Sequence, residues 1–205
     1  MLTTAYPKTV RLKDGQEVVI RPLVSDDTDR LHSFFVSLPE EDRMYLRDDV
    51  TDVGLVRQWT ECIDFDRVIP LLALDGDEVV GDGTLHLSSY GWAQHVGQLR
   101  LVTARSFRHK GLGVVITREL VALAAERGLE KLEAHVIEDS RGAVKMFETV
   151  GFKKGAVLEG MVKDRGGQRR NLLIMVNDVS NLSRIMEDWI QDSMVPAFRV
   201  PGDGA

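Results

Sequence analysis

Apolar residues along this chain recur with two periods, and the switches between them mark its elements. Val18–Pro22 reads as a short strand, since Val18, Val19 and Ile20 favour a pleated backbone and Pro22 ends it. Ser25 then reads as a helix N-cap, with Asp26 and Asp27 in the first turn where they complement the helix dipole. Leu31, Phe34, Phe35 and Leu38 follow at helical spacing, so this helix buries one stripe. A further helical stretch is predicted over Val53–Ile63.

The middle of the chain is strand-rich. Val68–Leu74 is a continuous apolar run, and Asp75-Gly76-Asp77 is a hairpin-type turn leading into Glu78–Leu87. Val96–Thr103 is the next strand. A long amphipathic helix follows, with Leu112, Ile116, Leu120 and Ala124 on one face and Gly128 placed as its C-cap. Leu132–Ile137 alternates, putting Leu132, Ala134 and Val136 on one side and Glu133, His135 and Ile137 on the other. Ala143, Met146, Phe147 and Val150 mark a short helix stopped by Gly151. Strands near Val157–Lys163 and Asn171–Asn177 flank a turn at Gly166-Gly167. Leu182, Ile185, Met186 and Trp189 then predict a last helix over 180–191, with a disordered tail over 200–205. The order predicts an α/β (α+β) sandwich with a mixed sheet and a parallel crossover from Val96 to Ile137.

Composition narrows the function classes. With 205 residues, 43% hydrophobic and 28% charged, the chain is expected to form one domain with its core over 18–178. A net charge of −6 argues against nucleic-acid binding. No apolar run is long enough to span a bilayer, and residues 1–20 lack a signal-peptide block, so a cytoplasmic, membrane-free protein is expected. The lone Cys62 reads as a small core hydrophobe. No His/Cys/Asp/Glu cluster has metal spacing, so no metal is expected.

The most informative segment runs from Leu101 to Val114. A strand ends, Arg108, His109 and Lys110 follow, and Gly111 and Gly113 sit where the long helix begins. Free N–H groups and a partial positive charge at a helix start suit a phosphate, and glycines let the backbone approach it. A dinucleotide fingerprint would need glycine where Ile116 stands, and no Gly-Lys-Ser/Thr follows for a P-loop. What remains is Arg-x-x-Gly-x-Gly. Downstream stands Ser140-Arg141-Gly142-Ala143-Val144-Lys145-Met146-Phe147-Glu148-Thr149-Val150-Gly151-Phe152.

Together these two segments resemble the GNAT superfamily of N-acetyltransferases, whose second motif reads Asn-x-x-Ala-x-x-x-Tyr-x-x-x-Gly-Phe. Val19-Ile20-Arg21-Pro22-Leu23 and the Leu38–Arg47 region look more narrowly like bacterial protein-lysine acetyltransferases. The resemblance implies a mostly antiparallel sheet of about six to seven strands with a central, splayed parallel pair flanked by helices. It implies acetyl-CoA as co-substrate. Leu101, Val102 and Thr103 would face the pantetheine arm, and Arg108, His109, Lys110, Gly111, Leu112, Gly113 and Val114 would wrap the pyrophosphate. Ser140 and Phe147 would line the channel near the thioester.

Three departures concern catalysis. Phe147 stands where relatives carry a tyrosine acid, Ser140 where they carry asparagine, and Gln98 where some carry a glutamate base. The candidate catalytic positions are therefore Gln98 and His135, an imidazole with an ordinary pKa near ~6.5; His86, His95, Glu138 and Asp139 are weaker ones. The expected activity is acetyl transfer to a primary amine, of a small molecule or a protein lysine. An acyl-CoA-binding sensor without turnover is the alternative, and a nucleotide-phosphate enzyme is disfavoured. The 180–191 helix reads as packing on its own domain or, more sharply, as a homodimer contact. Acceptor-pocket loops are expected at Pro39–Asp52 and Ser88–His95.

Overall fold

The computed structural model describes residues 6–43, 46–164 and 166–180. Its centre is one sheet of eight strands: β1 Lys8–Arg11, β2 Glu17–Pro22, β3 Val68–Asp75, β4 Glu78–His86, β5 Val96–Thr103, β6 Lys131–Ile137, β7 Lys153–Lys163 and β8 Arg169–Asp178. They lie side by side in the order β1-β2-β3-β4-β5-β6-β8-β7. Only β5 and β6 run parallel, as the crossover predicts. The helices are α1 Thr28–Ser37, α2 Glu40–Arg43, α3 Val53–Glu61, α4 Leu112–Glu126 and α5 Arg141–Thr149.

The eighth strand corrects the expected six to seven. β1 is four residues long with one aliphatic side chain, Val10, too short for a period to show; it pairs with β2 from Lys8↔Ile20 to Arg11↔Glu17. β7 begins at Lys153, four residues earlier than expected, because register shifts at Lys154/Ala156 and Leu158/Val162 break its alternation. The expected helix at 180–191 and the tail lie outside the described residues.

Each face of the sheet is covered. On one, α4 lays Leu112, Ile116, Leu120 and Ala124 onto a core that includes Leu71, Leu85 and Leu132, all at most 1% exposed. On the other, Leu31, Phe34 and Phe35 of α1 and Val56 of α3 close over Leu72 and Leu74. Cys62 follows α3 and is exposed, correcting its expected burial.

The approach of α4 depends on two glycines that periodicity does not mark. A Cβ on Gly83 would stand 2.4 Å from Ile116 Cγ2 and 3.1 Å from Leu120 Cδ1. A Cβ on Gly81 would stand 2.8 Å from Ile116 Cδ1. Gly83→Ala therefore overpacks a filled core and is expected to cost about 1–3 kcal/mol, seen as a lower denaturant midpoint at unchanged m. An unchanged midpoint would mean α4 can lift off β4 freely.

The start of α1 also differs from expectation. Ser25–Asp27 is a single 3₁₀ turn, and Asp27 does not face solvent at a helix end. It is fully buried and takes both Arg21 guanidinium nitrogens, at 2.6 and 2.7 Å, with the Val24 N–H at 3.0 Å.

Candidate functional site

The site begins where β5 and β6 part. Their parallel pairing runs from Val96↔Lys131 to Leu99↔Ala134 and stops. Beyond it β5 stays with β4, through Arg100, Leu101, Val102 and Thr103. β6 stays with β8, through His135, Val136 and Ile137. The two facing edges are left open with unsatisfied backbone groups, which suits an extended amide-bearing chain laid between them. Leu101, Val102 and Thr103 are half-buried along that opening.

The same opening leads to the glycine loop. The first helical bond of α4 runs from the Val115 N–H to the Gly111 carbonyl at 3.1 Å. The N–H groups of Leu112, Gly113 and Val114 thus have no helical partner. Those of His109, Lys110 and Gly111 have no backbone partner among the described residues. His109 (φ 65°) and Gly111 (φ 94°) are both left-handed, which turns consecutive N–H groups inward as an anion cradle. Gly113 has a different task from the one expected: a Cβ there would sit 3.3 Å from Leu101 and 3.4 Å from Met146, so it lets α4 pack against β5 and α5.

The basic side chains of the loop are not free, contrary to expectation. Arg108 donates to Asp42 at 2.8 Å, and Arg105 donates to Asp42 at 2.9 Å and to Glu41. Burial works to raise the Asp42 carboxyl, but the two arginines outweigh it and hold it low. Lys110 is paired with Asp14 at 2.9 Å and donates to Gln16 at 3.0 Å. Lys13 is the cation that sequence reasoning missed. Its N–H meets the Lys110 carbonyl at 3.0 Å, and its side-chain carbons pass 3.5–3.7 Å from the Cβ position of Gly111. No short-range signal links residue 13 to residue 111; the β1–β2 turn brings them together.

On the α1/α3 side of the sheet a polar cluster covers the strand junction. The Gln98 amide donates to Glu133 at 2.9 Å, and its oxygen accepts from Arg100 at 3.2 and 3.3 Å. Arg47 Nη2 lies 2.9 Å from His135 Nδ1. A guanidinium can only donate, so Nδ1 is the acceptor and the ring proton sits on Nε2, 3.2 Å from Glu133 Oε1. The structure therefore brings Gln98 and His135 together, but the lone pair His135 would need as a base is already engaged. His86 is pushed down to about 4 by burial and by Arg100 and Arg47, and stays neutral beside Thr84 at 3.0 Å. Arg47 belongs to the Pro39–Asp52 segment, which thus reaches over the junction.

Ser140 is exposed at the start of α5. Phe147 is not in an open channel: it is 5% exposed and packs edge-on against Phe152 at 5.1 Å, because the apolar face of α5 points into the core. Asp82 was also missed. It lies on β4 between Gly81 and Gly83, and burial pushes its carboxyl up to about 7. An aspartate flanked by two glycines inside a strand is itself an uncommon composition for that backbone, and was the available signal.

A right-angle phosphate cradle beside a splayed parallel pair is the architecture of an acyl-CoA-dependent transferase, and the chain belongs to the acetyltransferase (GNAT) family, which it matches over residues 29–152. It is 26% identical, over 73% of its length and 89% of the relative's, to the thialysine N-epsilon-acetyltransferase of Caenorhabditis elegans. Its fold is similar to the GNAT domain of Streptomyces (S.) lividans PAT, with a TM-score of 0.72, 19% identity, and 87% of this chain and 99% of that one covered. It is similar also to a putative acetyltransferase from Salmonella typhimurium solved with its cofactor acetyl-CoA, at a TM-score of 0.67 and 15% identity, over 79% of this chain and 94% of that one. Among the described residues no helix is long and apolar enough to cross a membrane, and no group of three or more His, Cys, Asp or Glu could hold a metal.

Proposed function

We propose that this protein transfers an acetyl group from acetyl-CoA to a primary amine by direct attack, with both substrates held at once. The observation that carries the reading is the N–H cradle of His109–Val114 opening directly onto the unpaired edges of β5 and β6. Among the residues present, the left-handed pair His109 and Gly111 and the helix start fit a pyrophosphate, and Lys13 adds a cation that has no carboxylate partner among the described residues. The edge groups of Leu101–Thr103 fit the amides of a pantetheine arm.

Bound acetyl-CoA supplies an activated acyl carbon and a thiolate leaving group. The chain's own residues align that carbon and leave the α1/α3 face for the acceptor, over the Gln98–Glu133–His135–Arg47 cluster. Such alignment alone can supply several kcal/mol of the barrier. The acceptor is an amine of a small molecule or a protein lysine. The second reading, a sensor that binds acyl-CoA without turnover, draws support from Phe147, which has no proton to give, and from Gln98, whose amide is already occupied.

Titration calorimetry with acetyl-CoA tests the reading, followed by thiol release with a panel of diamines, amino acids and lysine peptides. Micromolar binding with turnover is expected. In Gly111→Glu, a left-handed backbone that only glycine adopts easily is strained and a carboxylate is set on the cradle, so affinity should fall at least ~10-fold. No binding by the folded wild type would end the acetyltransferase reading, and binding without thiol release from any amine would favour the sensor.

A further inference from the structure

We infer that Asp82 is the general base that takes the proton from the acceptor amine. The inference rests on the acetyl transfer proposed above. Its ground is position. Gly81 and Gly83 face α4, since a Cβ on either would meet Ile116, so alternation turns Asp82 to the α1/α3 face. There it stands in register between Leu72 of β3 and Val102 of β5. Val102 belongs to the stretch of β5 whose far edge the splay leaves open. A single strand spacing, about 5 Å, thus separates Asp82 from the strand along that opening. An acceptor laid across β5 on this face comes within reach of the carboxylate, directly or through one water.

Asp82 is also unpartnered. No hydrogen bond or ion pair reaches its carboxyl among the described residues, although every fully enclosed side-chain polar atom there has one. Its oxygens therefore meet solvent, at the bottom of a recess crowded by protein atoms. No neighbouring charge sets its behaviour. From β3 it faces Leu72; from β5, Arg100, whose guanidinium turns to Gln98. On its own strand His86 is neutral and bonded to Thr84. From α1 come the buried Leu31, Phe34 and Phe35, while Arg30 is paired with Asp27 and His32 with the Thr51 carbonyl. α3 presents the buried Val56 and Thr60, and α4, with Arg118 and Glu119, lies across the sheet. An unpaired carboxyl whose burial puts it near pH 7 is matched to proton transfer at neutral pH.

In the step, the amine nitrogen forms its bond to the acyl carbon while one N–H proton passes to the Asp82 carboxylate. The C–S bond breaks and its electron pair leaves with sulfur, which takes a proton from solvent. Asp82 then returns its own proton to solvent, so one amide and one free thiol result. This assignment fills the role that Gln98 cannot play and for which His135 has no free lone pair.

The test is Asp82→Asn, compared with wild type for turnover from pH 6 to 9 and for acetyl-CoA affinity by calorimetry. The expected result is a loss of about 10²-fold in kcat, disappearance of the rise in rate through pH 7, and acetyl-CoA affinity unchanged within about twofold. Asp82→Glu should keep part of the rate. A carboxyl-carbon NMR titration of the unliganded protein should place the Asp82 midpoint near 7. Wild-type kcat in a folded Asp82→Asn protein, a parallel loss of acetyl-CoA affinity, or a midpoint near 4 would overturn the inference while leaving acetyl transfer standing. A wild type that releases thiol from no amine would remove both, and calorimetry would show whether donor binding survives.

Discussion

Arg21→Ala is expected to lose about 3 kcal/mol of stability at pH 7, because it strands a buried carboxylate. Asp27 is completely enclosed, and Arg21 supplies both of its short contacts. Arg30, at 3.5 Å, keeps part of the charge compensated, which places the loss at the lower end of the range for broken buried pairs. Burial alone would raise the Asp27 carboxyl; Arg21, the Val24 N–H and Arg30 outweigh it and hold it below its ordinary value. A depressed carboxyl contributes stability that is present above the unfolded-state value and lost as pH falls through the folded one. The gap between wild type and variant should therefore narrow below about pH 4. Equilibrium denaturation at pH 7 and pH 3.5 reads both effects. The double variant Arg21→Leu/Asp27→Leu should recover much of the loss, since it leaves no stranded charge. A single variant within 0.5 kcal/mol of wild type, about the spread of ordinary surface changes, would mean that the pair does not hold this corner.

This pair also gives a physical meaning to the Arg21-Pro22-Leu23 stretch. Arg21 ends β2 by anchoring the turn into α1, and α1 roofs the face on which the acceptor is expected. Sequence showed the residues but not their partnership. Asp27 three residues after Val24 has the look of an ordinary helix start, and only the three-dimensional return of Arg21 changes its role.

The same division runs through the whole molecule. What was legible is what local periodicity writes: the α4 stripe, the alternating faces of β6, the glycine loop where a strand meets a helix, and the parallel crossover. Those features depend on residues close in sequence. What was not legible depends on returns of the chain. Lys13 reaches Gly111 only because β1 and β2 make an extra hairpin at the sheet edge. Arg108 and Lys110 have the composition of a phosphate clamp, yet Asp42 and Asp14 come from distant segments to neutralise them. Phe147 keeps the spacing of its motif while its ring belongs to the core. The loss of a tyrosine and of a glutamate from their usual motif positions, read alone, suggests a weakened enzyme. In the folded chain another carboxylate, on the neighbouring strand, stands on the same face.

That carboxylate should leave a thermodynamic trace independent of any turnover. Asp82→Asn is expected to be more stable than wild type at pH 8, by roughly 2–4 kcal/mol. Its carboxyl is raised from 3.8 to about 7 by burial, with no charge partner to offset the penalty. At pH 3 both the folded and unfolded chains hold the proton, and the cost is absent. As pH rises through 4 the unfolded chain releases its proton while the folded one keeps it, so folding weakens with each unit up to about 7 and then levels. The asparagine variant has no such slope at this position. Denaturant midpoints of the two proteins should therefore converge near pH 4 and separate above it. Parallel curves from pH 4 to 8 would show that solvent reaches Asp82 well enough to ionise it normally, and would place it outside the recess. Most substitutions in a folded core destabilise, so a gain of this size marks a residue whose placement favours chemistry over stability. The recess keeps a carboxylate under strain of burial at neutral pH, and relief of that strain by a proton is what a general base requires.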